Sequence, residues 1–471
     1  MRKLLLLTIL LVSAITKIMA ETIPFLDYQL NNEDIADTTK HSGKSGWSLG
    51  ILPSLAYDAD NGFTFGVLAN IFDYGNGKDY PNYRQRYNVK TTYSTKKTGT
   101  LRLYYDSNCA IKNHKIAIDL SYITDPASDF YGFNGNQSVF NKEWIDPESS
   151  DYVTRSFYMR KTNIFRISFD INGLIVGNWN CNAGVGVLNI SENRVNDGFF
   201  KNSYDTVPDL IELYWQWDII SEAEKNGGCH PFIHGGFVYD DRPCRVNPPK
   251  GIYADLFLTY YAAFGKLKDY NNVVLNFNFM HYVTIVNNYL IFAYHIGGQN
   301  VIMGKSPYYL QNYENKLFID KDRYYGLGGG TTLRGVLRSK IWVPGFAYAN
   351  IEFRTVFWNF KLFNQYFSLG ANLFLDAGVA TQKYNTNERE VKAAFAAQQA
   401  DSQSWLAESG KTIDDFFDFD ADLYRPHFSA GLGIKIAMNH NFVLSGEWGA
   451  PFNEQDCKSM ANFYLDLGYL F

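Results

Sequence analysis

The chain closes on Ala461-Asn462-Phe463-Tyr464-Leu465-Asp466-Leu467-Gly468-Tyr469-Leu470-Phe471, and this stretch decides the fold. Phe463, Leu465, Leu467, Tyr469 and Phe471 fall on one face, whereas Asn462, Asp466 and Gly468 fall on the other. A period of two with one apolar and one polar face is a half-buried strand. An aromatic residue at the very end of such a strand is how bacterial outer-membrane barrels finish. With its apolar face against lipid, the strand crosses a membrane without any transmembrane helix.

The same alternation recurs upstream. In 366–378, Phe367, Leu369, Ala371, Leu373, Leu375 and Ala377 oppose Ser368, Gly370, Asn372, Asp376 and Gly378. In 427–438, Phe428, Ala430, Leu432, Ile434, Ile436 and Met438 oppose His427, Ser429, Gly431, Gly433 and Lys435. Strands are predicted over 48–57, 62–73, 86–97, 99–109, 114–123, 153–171, 179–191, 229–240, 251–265, 270–285, 288–300, 345–359, 366–380, 426–439, 441–450 and 460–471. An even count is what a closed antiparallel barrel with both termini on one side requires. The expected fold is therefore all-β, a 16-stranded antiparallel transmembrane barrel. Asp58-Ala59-Asp60-Asn61-Gly62 is a hairpin turn, not a calcium loop, because the twelve-residue ligand pattern is missing.

Composition fits that reading. The 34 Tyr, 36 Phe and 9 Trp bring aromatics to 17%, yet mean hydropathy is only −0.24. Alternation between a lipid face and a wet lumen, with aromatic girdles at both interfaces, gives that combination. A large soluble β-protein is the alternative. The net charge of −5 leaves no footprint for nucleic acid. Five Cys without a CxxC pair offer no metal-site spacing, and no cofactor or metal is expected.

The first residues set the address. Arg2 and Lys3 precede an apolar run from Leu4 to Ile15, and Ala20 offers a small residue before a cut. Residues 1–20 read as a secretory signal peptide, 21–46 as a flexible periplasmic arm, and 47–471 as the barrel. With the N-terminus periplasmic, the long connections 192–228, 301–344 and 381–425 fall outside the cell. The first of these is predicted to hold a helix capped by Thr206, with Asp209 three residues on, ended by Gly227-Gly228, and striped by Leu210, Ile211, Tyr214 and Trp217. Asp414, Asp415, Asp418, Asp420 and Asp422 read as a solvated acidic loop, with cation binding the less favoured reading.

Tyr325-Gly326-Leu327-Gly328-Gly329-Gly330-Thr331-Thr332-Leu333-Arg334-Gly335 is the most specific signal in the chain. It resembles the glycine-rich, Arg-Gly-bearing loop of the bacterial surface antigen family, the BamA-like barrels that insert or translocate outer-membrane components. Supporting segments come in order: Phe130 to Asn136, Tyr239-Asp240-Asp241-Arg242 with Pro248, Pro249 and Gly251, Ser306-Pro307-Tyr308-Tyr309, Glu352-Phe353-Arg354, and Phe374 to Gly378.

The resemblance implies that the sixth outer loop folds into the lumen, with Gly328, Gly329, Gly330, Leu333, Arg334 and Gly335 as its motif. It also implies that Arg334 meets Asp376 and Glu352 on the inner wall. The alternation places both carboxylates on polar faces, where a guanidinium fork pairs well. Val336 stands where the family usually has an aromatic residue.

Leu467, Tyr469 and Phe471 are the expected insertion signal. Family members that handle protein clients carry periplasmic POTRA domains. Such a domain needs roughly 75 residues, more than the arm at 21–46 offers, so an accessory subunit working with periplasmic or membrane assembly partners and surrounded by outer-membrane lipid is the expected role. A passive channel or a surface-exposed ligand-binding barrel is the alternative. No Gly-x-Ser-x-Gly elbow or His-Glu-x-x-His is present, so no enzyme is expected.

Overall fold

In the computed structural model of the chain, the described residues are 45–58, 62–77, 83–112, 114–135, 138–196, 199, 207–243, 247–287, 289–313, 326–362, 365–407, 409–419, 423–438, 442–457, 461–467 and 470. Sixteen strands follow one another: β1 Trp47–Asp58, β2 Gly62–Asp73, β3 Gln85–Ser94, β4 Gly99–Ile111, β5 His114–Asp129, β6 Met159–Val176, β7 Trp179–Asn193 and β8 Gly227–Asp240. The second half holds β9 Gly251–Tyr261, β10 Asn272–Val286, β11 Leu290–Gly304, β12 Gly345–Leu362, β13 Gln365–Gln382, β14 His427–Met438, β15 Phe442–Pro451 and β16 Asn462–Leu467. Each pairs with its sequence neighbours, and β1 meets β16 to close the barrel.

The wall is oily outside and polar inside, the reverse of a soluble protein. On β13, Leu373 and Leu375 are exposed, whereas Asn372 and Asp376 are buried. On β14, Leu432, Ile434 and Ile436 are exposed, whereas Ser429 and Lys435 are buried. Strand pairing takes up the backbone N–H and C=O groups, the condition for a wall with apolar side chains outward to cross a membrane. Among the described residues no helix is long and apolar enough to cross a membrane.

Most of the barrel forms one unit, Leu49–Phe72 with Gln85–Phe471. The other unit contains the described residues 45–48, 73–77 and 83–84. Within it Gly46 N–H donates to Gly75 O (2.8 Å) and Arg84 N–H to Asp73 O (2.8 Å).

The connections differ from expectation in three places. The chain enters β6 at Met159, not at 153, because Val153, Phe157 and Tyr158 are buried in an aromatic cluster formed by the connections. Helix α1, Leu210–Gln216, is capped by Asp209, whose side chain accepts from Glu212 N–H (2.8 Å). The predicted cap Thr206 lies outside the described residues. That helix stops at Trp217 and not at Gly227, since Asp218 takes a left-handed φ of 57°. The third difference is a helix the strand pattern does not announce: after the short α2, Tyr308–Gln311, a third helix α3 runs Glu388–Ala400 and buries Val391 and Phe395. Asp415 is occupied in a capping box with Thr412. Asp420 and Asp422 lie outside the described residues.

These connections share one core. Phe130, Phe133, Tyr214, Trp217, Tyr308, Trp342, Tyr384, Phe395 and Phe416 belong to it, drawn from four different connections. Phe133 stacks on Tyr384 with centroids 3.7 Å apart. Beside them the Asn134 carboxamide takes the Tyr384 N–H (2.7 Å). Buried aromatic faces with a satisfied polar rim bind the connections to one another.

Candidate functional site

Arg334 is the centre of the most elaborate polar cluster. Its side chain is completely buried. Nε and Nη2 donate to the two oxygens of Asp376 on β13 (2.9 and 2.8 Å), a fork-on-fork pair. Nη1 donates to Glu352 on β12 (2.5 Å) and to Glu447 on β15 (3.0 Å). Its backbone N–H adds a further bond to Asp376 (3.0 Å), and the guanidinium lies 3.5 Å from the centre of the Phe374 ring. The carboxylates are themselves held: Arg354 Nε reaches Glu352 (2.6 Å) and Lys435 Nζ reaches Glu447 (2.8 Å). Three cations therefore face three carboxylates.

The sequence singles out Arg334, Glu352 and Asp376, and these three residues do meet. It misses Glu447 and Lys435, though the signal was available: both occupy polar positions on alternating strands. Strand register brings Glu447 and Lys435 together, since Gly433 of β14 pairs with Glu447 and Lys435 with Ser445, two residues away on the same face of β15.

The glycines allow close approach. Gly328 has φ 118°, and a side-chain carbon there would lie 1.9 Å from Leu337 O, so only glycine fits. Gly335 has φ 94° and lies against Gly449 of β15, where an added carbon would sit 2.6 Å from the backbone. Gly329 N–H bonds Val336 O (2.9 Å), and Gly328 N–H bonds the Thr332 hydroxyl (2.9 Å), folding the segment on itself. Gly330 packs on the Tyr464 ring. Leu333 and Val336 are buried with Leu327, Ile341, Val343 and Phe346; Val336 fills the place where an aromatic was the expectation.

The loop also grips the last strand. Gly335 N–H donates to Tyr464 Oη (3.0 Å), and Asn462 Nδ2 donates to Gly335 O (3.1 Å). Leu467 ends β16, while Tyr469 and Phe471 lie outside the described residues.

Farther along, Lys340 is fully buried and donates to Ser138 O (2.8 Å). Burial pulls its ammonium down to about 8 against the opposing pull of Asp456. Because the unfolded lysine titrates near 10.5, the unfolded chain binds more protons between those values. Stability therefore rises with pH from 8 to 10.5, by about 3 kcal/mol from this group. Lys340→Met is expected to flatten that rise, read as the difference between the two proteins' unfolding curves at pH 7.5 and 10.

A closed barrel with an arginine loop locked to carboxylates of three strands defines a class of outer-membrane protein. The model of the Omp85 superfamily domain matches residues 85–471, and the chain belongs to that superfamily. No curated protein matches it. Among solved structures, BamA from Haemophilus ducreyi lacking POTRA domains 1–3 is 13% identical, with a TM-score of 0.52; the match covers 90% of this chain and 70% of that one. CdiB from Escherichia coli is 10% identical, with a TM-score of 0.51, over 88% of this chain and 62% of its own. At such identities the likeness is one of fold. The chain spans under two thirds of the length of CdiB.

Proposed function

We propose that this barrel inserts or translocates outer-membrane components through its β1–β16 seam, with partner subunits delivering the client and no catalytic step of its own. In this reading residues 1–20 are a removed signal peptide, 21–46 are a periplasmic arm, and 47–471 form the barrel. Outer-membrane lipid bathes the apolar face, and Leu467, Tyr469 and Phe471 act as the insertion signal. Residues 326–343 lie in the lumen as the fixed part against which the seam works.

One observation carries the reading. Among the described residues, β1 and β16 pair antiparallel through Tyr57↔Leu465 and Asp58↔Tyr464. β1 contains Pro53, which lacks a ladder donor, and Gly50, which stiffens nothing. A strand that lacks a ladder donor pairs less firmly with its neighbour, and the loop's grip on Tyr464 and Asn462 steadies the β16 side.

Cysteines replacing Tyr57 and Leu465 sit directly across the seam, within disulfide reach. The oxidised protein is expected to lose complementation of a deletion strain, and reductant to restore it. Full complementation with the seam locked would sink the proposal.

The passive-channel alternative draws on a different observation. Thr64, Leu68 and Asn70 of β2, and Asn88, Lys90 and Thr92 of β3, are only half-buried, as residues facing water are. A large, steady conductance in planar bilayers, unaffected by the seam disulfide, would favour it.

A further inference from the structure

Arg338 lies four residues beyond Arg334, and its side chain is as deeply buried as the site just described. It does not join the β12–β13–β15 cluster. Its Nε donates to Asp129 (2.9 Å), Nη1 to Asp125 (3.1 Å), and Nη2 to Ala127 O (3.4 Å). All three acceptors belong to the outer end of β5.

The local sequence explains why that stretch can receive a guanidinium. The β5–β6 register slips between Asp125 and Ser128, around Pro126. A proline is tolerated in a strand at such a bulge, and a bulge re-aims the side chains beside it. Here it turns two carboxylates and one carbonyl toward one fork. Each carboxylate has a second donor: Asp129 accepts from Tyr131 Oη (3.1 Å), and Asp125 from Ala127 N–H (3.2 Å). The receptor is thus held by bonds of its own besides those to the arginine.

In the closed order of sixteen strands, β5 and β13 stand eight places apart, half of the ring. Arg334 is fastened to β13 and Arg338 to β5. The two guanidinium groups, four residues apart on one turned segment, end on these two strands.

We infer that Arg338 is a second positioning residue of this loop, and that Arg334 and Arg338 together make it a brace between opposite walls. The inference rests on the lumenal placement of residues 326–343 proposed above, and goes beyond it in assigning the loop two separable locks. The Arg334 lock holds the loop to the β12–β16 side. The Arg338 lock shuts the gap between the loop and β5, beneath the aromatic core of the outer connections. Releasing the second lock alone leaves the loop tethered and opens a path along β5.

The test uses the full chain with its native cysteines replaced by serine and Ser339→Cys added, Ser339 being buried. A charged, membrane-impermeant thiol reagent is applied to intact cells, and conductance is recorded from the same variants in planar bilayers. Arg338→Gln is expected to speed labelling at 339 at least tenfold and to add conductance steps absent from the parent. Asp129→Asn is expected to do the same more mildly, and keeps the test open should Arg338→Gln fail to fold. Combining the two should add little, because they break one contact. Arg338→Lys should restore only part of the protection, since an ammonium cannot span both carboxylates.

Unchanged labelling and conductance in Arg338→Gln and in Asp129→Asn would overturn the second lock. Rapid labelling of the parent itself would instead overturn the lumenal placement, which keeps the two failures apart.

Discussion

Replacing Arg334 by Ala is expected to destabilise the folded barrel by about 3–5 kcal/mol, the range for removing one member of a buried ion pair. The cost does not come from all three carboxylates equally. Lys435 still faces Glu447 at 2.8 Å and Arg354 still faces Glu352 at 2.6 Å. Asp376 is the group whose ion pair is lost, at zero side-chain exposure. The charge left uncompensated therefore sits on β13.

A double substitution follows from this. Arg334→Ala with Asp376→Ala should be no less stable than either single variant, because the second change removes the charge the first one stranded. Urea unfolding from lipid vesicles, followed by the gel shift between folded and unfolded barrel, measures all four proteins. Additive losses would show that the two side chains do not act as one unit, whatever their distance.

How much of this was legible in the sequence depends on what each residue answers to. A wall strand has oil on one side and water on the other, so its pattern is written in every second residue. That is why all sixteen strands are readable, and why their ends are not. Val153, Phe157 and Tyr158 are apolar because of the aromatic core of the connections, and in a linear reading they extend β6 by six residues. Helix α3 went unread for a related reason. Only Val391 and Phe395 are buried on it, and its partner Trp217, which bonds Gln398 (2.6 Å), lies in another connection.

The site divides in the same way. Arg334 is legible because glycines surround it, and the glycines are there because backbone passes close to backbone. Arg338 has no such frame: its carboxylates lie more than 200 residues away in sequence, brought to it by a bulge that only Pro126 hints at. Glu447 was visible as a polar position on an alternating strand, but nothing in the chain says which inward carboxylate an inward arginine will choose.

Gly449→Val is the second large effect, and its size is bounded by the first. Gly449 lies where β15 touches the loop: an added carbon would come within 2.7 Å of the Arg334 carbonyl carbon and 2.8 Å of Gly335 N. Neither partner is the loose end of a side chain. Both are backbone, and Arg334 is fixed on the far side by its bonds to Asp376, so the wall and the loop cannot both stay in place. Overpacking a rigid contact costs about 1–3 kcal/mol when neighbours can shift. Here they shift only by releasing the loop. The loss can then rise toward, but not beyond, the about 3–5 kcal/mol that the Arg334 lock supplies.

The two changes are therefore expected to be strongly non-additive. Gly449→Val should cost several kcal/mol in the parent, yet little in the Arg334→Ala background, where the loop is already free to yield. Gly446, three register positions nearer the other end of β15, supplies the control. A carbon added there meets only the Phe463 ring at 3.6 Å, so Gly446→Ala should be nearly silent. If Gly449→Val proves as costly without Arg334 as with it, the strain belongs to the β-ladder, and the loop does not bear on β15 in the way its contacts imply.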